Sequence, residues 1–398
     1  MYISERVQQT AAPIITDLAA VAAERTATGG DLLNLGQGIA DFPPPPAALA
    51  AARAALDDPT THRYSLDAGL LELRAAIARK WARDAGTVVD PEREIIVTAG
   101  GNQAAVLALL TCTDIGDEVL LPAPYYFNHE MAVHLCGLRP VEAPLAPVDG
   151  FALGWERLAP YVTARTRAVL LPNPGNPTGA VAGAAALATC ARELAARNIT
   201  LIVDETYEYF IFEPARHYSP AADPALRPHV ITISSFSKGF CLAGWRVGYV
   251  LLPPDLWRAA LKVQDTLVIC APVISQRAVA ATLDSDYYPL LAAQRAELAT
   301  RRAALHTGLA GIPRLTWHET YGAMYAFVGV ADSPPVADLV PDLIREIGVL
   351  VLPGTTFGPA GAGHLRLSYG AAPVPVLVEA LARLGAYFSR QSSVVSRQ

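Results

Sequence analysis

Lysine is scarce in this sequence of 398 residues. Of its 31 basic residues only three are lysines, Lys80, Lys238 and Lys262, and the other 28 are arginines. Arginine cannot lose its proton to become a nucleophile, whereas a lysine with a lowered pKa can. Lys80 and Lys262 lie in amphipathic helical patterns among other charged residues, and we expect both to be solvated. Lys238 follows an apolar strand pattern, in ISSFSKGF, and is the candidate for a reactive amine.

Other features are also missing. No run approaches the roughly 20 apolar residues that a membrane helix needs, and the first residues show no signal-peptide pattern. The net charge of -6 disfavours nucleic acids and anionic membranes, because both select a basic surface. The five cysteines include no C-x-x-C pair, which is typical of reduced thiols. These absences predict a soluble, cytoplasmic protein without a nucleic-acid or membrane partner.

The hydrophobic pattern predicts an α/β fold. Continuous apolar segments that alternate with helical patterns are typical of a mainly parallel sheet with helices on both faces, a three-layer α/β/α arrangement. From residue 287 a long helical pattern and then short strands indicate a smaller α+β domain. We expect an N-terminal arm at 1–45 that is part of the small domain, a large domain at 46–286 and the small domain at 287–398. Strands are predicted at 95–98, 118–121, 167–171, 200–204, 230–234, 245–251, 324–330, 349–352 and 364–368.

Polar residues follow the ends of several predicted strands, where ligands bind in doubly wound sheets. Gly100 and Gly101, followed by Asn102, open a helix and let an anion approach backbone N–H groups. Asn176 lies in a rigid loop of prolines and glycines, from which its amide can be aimed at a ligand oxygen. Arg366 lies in a late strand pattern, either on an exposed face or facing an anion. Taken singly, each pattern is equally compatible with a structural role.

Two further patterns carry charge. Asp204 ends an apolar strand, where a carboxylate needs a cationic partner. The nitrogen of a pyridinium ring would serve, and a helix N-cap or a structural ion pair is the commoner alternative. Ser235, Ser237, Lys238 and Arg246 lie within a dozen residues of one another. Two hydroxyls, an amine and an arginine suit a ligand that has both a phosphate and an aldehyde.

Together and in this order, the motifs resemble the class I and II aminotransferases of the aspartate aminotransferase superfamily. The resemblance extends from NLGQGIADF at 34–42 to RLSYG at 366–370, and includes RYSLDAGLLELR, TAGGNQA, PAPYYF, PNPGNPTG, DETY, SFSKGF and AGWRVGY. It implies the fold of the type I enzymes that depend on pyridoxal 5'-phosphate (PLP). It also implies an aminotransferase that moves the amino group of an L-amino acid to a 2-oxo acid through pyridoxamine phosphate.

The resemblance implies catalytic roles for Lys238, Asp204 and Tyr207. Lys238 forms the Schiff base with PLP and then moves the proton between the substrate α-carbon and the cofactor. Asp204 pairs with the pyridinium nitrogen. Tyr207 and Asn176 donate hydrogen bonds to the phenolic oxygen of the cofactor, and Tyr126 stacks on its ring.

The remaining implied roles concern the phosphate, the substrate and a second subunit. Arg366 binds the substrate α-carboxylate, with the Gly38 backbone and Asn176 beside it. Tyr64 reaches the phosphate of the neighbouring subunit, which implies a homodimer with shared active sites. Within one subunit the phosphate is held by the backbone at Gly101 and Asn102 and by the side chains of Ser235, Ser237 and Arg246.

Two departures bear on the substrate. Tyr126 stands where many members have tryptophan, so it stacks with less area. Asn102 stands where an aspartate-preferring subgroup has a lysine, so a preference for dicarboxylates loses one support. The segment NLGQG…DFPPP is similar to that of glutamine, kynurenine and methionine transaminases, which favours neutral or aromatic substrates.

Other activities stay open at this point. The same scaffold hosts PLP-dependent lyases, synthases and oxidases that act on amino acids, and the motifs do not separate them. PLP-type folds also occur in transcription regulators, but the sequence shows no basic segment for binding DNA. A nicotinamide dehydrogenase is disfavoured because the glycines do not make a complete dinucleotide fingerprint.

Overall fold

The computed structural model describes residues 1–12, 14–331 and 335–395, with side chains as far as residue 390. No helix within these ranges is both long and apolar enough to span a membrane. The strands are β1 (Leu33–Asn34), β2 (Ile95–Thr98), β3 (Glu118–Ala123), β4 (Arg139–Pro144), β5 (Thr166–Pro172), β6 (Thr200–Asp204), β7 (Val230–Ser235), β8 (Gly248–Leu251), β9 (Leu315–Thr316), β10 (Tyr325–Val330), β11 (Val349–Leu350), β12 (Leu352–Pro353) and β13 (His364–Ser368).

The α-helices alternate with these strands through the first two thirds of the chain. A π-helical turn at Leu343–Ile347 continues the twelfth helix. The α-helices are α1 (Glu5–Gln9), α2 (Ile14–Ala27), α3 (Pro46–Leu56), α4 (Leu71–Asp84), α5 (Gly101–Cys112), α6 (Phe127–Leu135), α7 (Trp155–Leu158), α8 (Ala184–Ala195), α9 (Trp257–Val268), α10 (Val273–Leu283), α11 (Tyr288–Ala310), α12 (Val336–Asp342) and α13 (Val374–Val395).

Seven strands form the main sheet, in the order β2-β8-β7-β6-β5-β3-β4. Strand β8 is antiparallel to both of its neighbours, and the other neighbouring strands are parallel. Parallel strands need crossover helices, and these cover both faces of the sheet. The predicted three-layer α/β/α class is therefore confirmed.

Side chains of successive strand residues point to opposite faces of the sheet. In β6, Leu201 and Val203 pack in a core with α3, α4, α8 and α10. Ile202 packs in the core on the other face, with α5, α6 and α9. The same alternation sets the direction of the polar residues at the strand ends. Asp204 follows Val203 by one residue, so its side chain points to the opposite face of the sheet, the face on which Ile202 packs.

A third core surrounds the small sheet β12-β13-β10-β9 and the pair β1-β11. It includes residues of α2 near the N-terminus and of α13 near the C-terminus, together with α12. Helix α11 joins two cores, since Leu291 packs with the main sheet and Leu298 packs with the small one. The domain boundaries after residues 45 and 286 stay predictions.

Several strand predictions need correction, and the two-residue strands β1 and β9 were not predicted at all. Strand β4 was not predicted, because the two prolines of its sequence RPVEAP argue against a strand. The strand forms because it lies at the sheet edge, where proline is tolerated. Strand β8 begins at Gly248 instead of Trp245, because Arg246 has a φ of 51° that does not fit a strand. The predicted strand 349–352 is two short strands, β11 paired with β1 and β12 paired with β13.

The expectation that Lys80 is solvated is wrong. Its side chain is 2% exposed and its Nζ atom lies 2.6 Å from Glu208 Oε2. A helical pattern shows which face of α4 is apolar, but it does not show that a carboxylate from a distant segment meets a lysine on that face. Lys262 is exposed, as expected.

Candidate active site

A cavity of about 260 Å³ lies between the carboxyl ends of β5, β6 and β7 and the small sheet. Tyr64 is the one predicted site residue that does not line it, and this side chain is 79% exposed. The predicted residues that line the cavity are Gly38, Gly101, Asn102, Tyr126, Asn176, Asp204, Tyr207, Ser235, Ser237, Lys238, Arg246 and Arg366.

One end of the cavity combines hydrogen-bond donors with a cation. Ser235 Oγ donates to Ser237 Oγ at 2.8 Å, and both serines lie beside the first turn of α5. Gly100 precedes this helix with a φ of +83°, and a Cβ atom there would lie 2.3 Å from Arg246 Nη2. Arg246 donates to the carbonyls of Ala243 and Ala99 and forms no ion pair with a described residue. Helix N–H groups, two hydroxyls and an arginine together suit a phosphate.

Asp204 is an ionised carboxylate at the end of β6. Its Oδ2 atom lies 3.2 Å from His129 Nε2, and its Oδ1 atom accepts from Thr206 Oγ1 at 2.6 Å and Thr206 N at 3.0 Å. Burial alone would raise the pKa of this carboxyl, but the hydrogen bonds from His129 and Thr206 outweigh burial and hold the pKa below its ordinary value. A buried negative charge in this place can stabilise a cationic ring nitrogen.

Three tyrosines form a wall of the cavity. The hydroxyls of Tyr207 and Tyr325 lie 2.6 Å apart. Burial raises the pKa of Tyr207 well above its ordinary value, with Tyr325 adding to the effect. Burial also raises the pKa of Tyr126 to about 12. These phenols therefore stay protonated at neutral pH and are available as hydrogen-bond donors.

Lys238 lies between the phosphate-type end and the small sheet. Burial lowers the pKa of its amine to about 8, and the positive charges of Arg366 and Arg246 add to the shift. The Nζ atom donates to the Gly38 carbonyl. A lysine with a lowered pKa has a substantial neutral fraction near neutral pH, which is the form that attacks an aldehyde.

Arg366 is a buried cation, 2% exposed, on β13. Its Nη1 atom donates to Asn176 Oδ1 at 3.2 Å and its Nη2 atom donates to the Gly36 carbonyl. The guanidinium lies 4.6 Å from the ring centroid of Tyr325 and 5.1 Å from that of Phe357. Its Nε atom has no hydrogen-bond partner, and no described carboxylate forms an ion pair with it. A buried cation without a counter-ion is costly, so this one suits an anionic ligand.

The residues that were not predicted from the sequence include His129, which does not itself line the cavity, and Tyr325, which does. His129 contacts Asp204, and its position three residues after Tyr126 on a helix is the signal that was available. Tyr325 contacts Tyr207 and Arg366, but an aromatic residue in an apolar strand is ordinarily a core residue. Its position also explains Gly38, because a Cβ atom there would lie 2.3 Å from the Tyr325 hydroxyl.

Comparisons with known proteins agree with this geometry. Residues 30–384 match the family model described as aminotransferase class I and II. The chain is 34% identical to the aromatic-amino-acid aminotransferase 2 of Thermococcus litoralis, over 86% of this chain and 88% of that protein. It is 35% identical to the aspartate aminotransferase of Pyrococcus abyssi, also over 86% and 88%. A solved single mutant of Thermus thermophilus aspartate aminotransferase superposes with a TM-score of 0.91 at 33% identity, covering 97% of this chain and 99% of that one.

Gly100→Ala tests the phosphate-type end of the cavity. The new Cβ atom collides with Arg246, so we expect the dissociation constant of PLP to rise by roughly tenfold or more, the effect of a misplacement near 1 Å. Equilibrium dialysis of the folded protein measures it. Gly116→Ala is the matched control, because Gly116 has a similar φ of +88° but open space around its Cβ position. Equal PLP affinities in the two variants would contradict the assignment.

Proposed function

We propose a role for each residue around the cavity on the premise that this chain belongs to the class I and II aminotransferases, which are PLP-dependent enzymes that transfer amino groups. When bound, PLP supplies an aldehyde that takes up the amino group and an aromatic ring that withdraws electrons from the substrate α-carbon. The residues present fit this cofactor, since Gly100 lets the Arg246 guanidinium lie against the start of α5 and the buried carboxylate of Asp204 lines the same cavity.

The cofactor contacts follow from the donors and charges around the cavity. Ser235, Ser237 and Arg246, with the backbone N–H groups of Gly101 and Asn102 at the start of α5, would hold the phosphate. Asp204 would pair with the ring nitrogen, and the ring of Tyr126 would stack on the cofactor ring. Tyr207 would donate to the phenolic oxygen. Asn176 would do so as well, because Arg366 occupies its carbonyl oxygen and leaves the NH₂ group to donate.

Lys238 and Arg366 act on the substrate. Arg366 holds the α-carboxylate and so fixes the direction of the α C–H bond, with the Gly38 backbone beside it. Lys238 would hold the cofactor through its amine. Once the amino group of the substrate has taken its place, the neutral Nζ atom of Lys238 would accept the α-proton and later return it. The pKa near 8 suits this work, because both protonation states are accessible close to neutral pH.

The single observation that carries this proposal is Arg366, a buried cation with an unbonded Nε atom. We expect Arg366→Met to raise the amino-acid concentration for half-maximal rate by roughly 30- to 1000-fold, the loss of two charge-assisted hydrogen bonds. The PLP dissociation constant should change much less. Rapid mixing of the holoenzyme with single amino acids, followed by the cofactor spectrum and product analysis, measures this. Arg295→Met removes an exposed arginine of α11 and is the control.

Two outcomes of that experiment contradict the proposal. Equal losses of amino-acid and PLP affinity in Arg366→Met would reject the carboxylate role. Release of ammonia or peroxide, with no amino group retained on the cofactor, would favour a lyase or an oxidase instead of an aminotransferase.

The lowered pKa of Lys238 predicts a pH dependence. Only the neutral amine attacks the aldehyde, so attachment of PLP to the apoprotein should accelerate as pH rises and level off above about pH 8. In Arg366→Met the pH at which this rate is half-maximal should rise, because the positive charge of Arg366 disfavours the charged form of the Lys238 amine. Absorbance after mixing measures the rate, and Lys238→Ala, which should trap no PLP on borohydride reduction, is the control. A rate that keeps rising towards pH 10 would indicate an ordinary lysine.

We further propose that the substrate has a neutral side chain. The cationic side chains that line the cavity are Lys238, Arg246 and Arg366, and each already has a role. Ile39 and Phe127 also line it, and neither can bind a second carboxylate. Similarity does not decide the matter, since relatives named for aromatic amino acids and for aspartate are 34% and 35% identical.

The side-chain preference can be tested at Asn102. We expect the unmodified enzyme to use phenylalanine or leucine with a kcat/KM at least roughly tenfold above that for aspartate. The side-chain carboxylate of aspartate would lose its hydration in the cavity without meeting a cation. Asn102→Lys adds a cation and should raise kcat/KM for aspartate, whereas the uncharged Asn102→Met should not. A preference for aspartate in the unmodified enzyme would overturn this part of the proposal.

A homodimer in the cytoplasm completes the proposal. Tyr64 and Leu66, on the loop before α4, and Leu71, at the start of α4, are exposed apolar or aromatic residues. A second copy of the chain would cover them and bring Tyr64 to its phosphate. The five cysteines form no disulfide, which supports a reducing compartment.

A further inference from the structure

A buried ion pair lies next to the active site but does not line its cavity. Lys80 Nζ is 2.6 Å from Glu208 Oε2 and 3.2 Å from Asp84 Oδ2, and the Lys80 and Glu208 side chains are 2% and 11% exposed. Burial alone would lower the pKa of Lys80, but Glu208 and its neighbours outweigh burial and hold the pKa well above its ordinary value. The Lys80 amine therefore stays charged near neutral pH, whereas both protonation states of Lys238 are accessible there. We call Lys80 and Glu208 the buried ion pair.

The buried ion pair joins three segments. Lys80 is on α4, and Glu208 is on the turn that follows β6. Glu208 Oε1 accepts from Ser234 Oγ at 3.0 Å, which connects the turn to the end of β7. Tyr209, on the same turn, donates to Asp84 at 2.8 Å. The turn is thus fixed to α4 and to β7 by side-chain bonds on the face of the sheet opposite the cofactor.

Alternation along the chain explains this arrangement. Ser234 faces α4 and Ser235 faces α5, because adjacent strand residues point to opposite faces. On the turn, Tyr207 lines the active-site cavity while Glu208 lines a second cavity of about 210 Å³, together with Lys80. Glu208 and Ser234 are therefore each one position away from a residue that lines the active-site cavity, Tyr207 and Ser235.

Stability alone does not account for such a pair. Desolvation of two charges offsets most of their attraction, and apolar residues of similar volume often stabilise a protein as well or better. What a charged, directional pair adds is a fixed geometry. Glu208 can bond Lys80 and Ser234 at once only when the turn and the end of β7 have one relative position.

We propose that the buried ion pair is a positioning element of the cofactor site, which holds Tyr207 at a fixed place relative to Ser235 and Ser237. The phenolic end and the phosphate end of PLP are bound by these two segments. A change in their separation would misplace the cofactor without removing any group that touches it. The inference rests on the cofactor contacts proposed above, and it does not depend on which reaction follows.

The test compares removal of half the pair with removal of all of it. Lys80→Met leaves Glu208 buried without a counter-ion and should lower the unfolding midpoint. Lys80→Met/Glu208→Leu removes both charges and should restore the midpoint. We expect the double variant still to bind PLP roughly tenfold more weakly than the unmodified holoenzyme. Its visible absorbance should also titrate at a different pH, and kcat should fall more than KM changes.

Glu118→Gln is the matched control. Glu118 is a buried glutamate paired with Arg165 at 2.7 Å, at the start of β3 and so at the sheet end away from the cavity. Its loss should lower the unfolding midpoint and leave PLP affinity and the pH titration unchanged. A double variant of the buried ion pair that recovers stability, PLP affinity and pH titration together would overturn the proposal.

Ser234→Ala decides the matter if the double variant does not fold. It keeps both charges and removes the hydrogen bond between Glu208 and β7, so we expect weaker PLP binding in a variant that still contains the ion pair. Unchanged PLP affinity in Ser234→Ala would overturn the proposal. The PLP affinities, the pH titrations and the unfolding midpoints are measured in the absence of an amino acid, so they are independent of the Arg366 half-reaction test.

Discussion

The active site depends on positive charge that the described protein residues leave uncompensated. Lys238, Arg246 and Arg366 line one cavity, and Asp204 is the one carboxylate among its lining residues. Charges of one sign in a partly buried place repel each other and lack hydration, which lowers the pKa of Lys238 and leaves Arg366 with an unbonded donor. Anionic ligands relieve both costs. A phosphate near Arg246 and a carboxylate at Arg366 are therefore bound by the same imbalance that makes the lysine reactive.

The parallel sheet makes this arrangement possible. Carboxyl ends of β5, β6 and β7 meet at one edge, so single residues from distant parts of the chain converge there. Side chains alternate along a strand, so two adjacent polar residues at a strand end point to opposite faces of the sheet. Ser235 and Ser234 are neighbours in sequence, yet one faces the phosphate end and the other bonds Glu208. One strand end thus serves both the ligand and its support.

Much of the site could be predicted because its residues break local rules. A charge at the end of an apolar strand, as at Asp204, or an arginine within one, as at Arg366, calls for a partner, and the resemblance to the aminotransferases is what pointed to a ligand instead of a structural ion pair. Tyr325 obeys the rule for a strand, so nothing marked it, and His129 was marked only by its position three residues after Tyr126. Strand β4 was missed because its prolines argue against a strand, and the sequence does not show that this segment lies at a sheet edge, where proline is tolerated. The partner of Lys80 was missed because no periodicity reports a contact across 128 residues.

The scarcity of lysine has a sharper meaning in the light of these contacts. Lys238 needs an amine that can lose its proton, which arginine cannot provide. The position of Lys80 requires a cation that keeps its proton. This cation must also be compact, because the Lys80 ammonium lies 2.6 Å from Glu208 and 3.2 Å from Asp84. A guanidinium is planar and wider, and it would separate the carboxylates or displace the turn that carries Tyr207. In a chain that otherwise uses arginine for positive charge, two of the three lysines therefore mark positions where the chemistry or the size of the cation is constrained, and the exposed Lys262 does not.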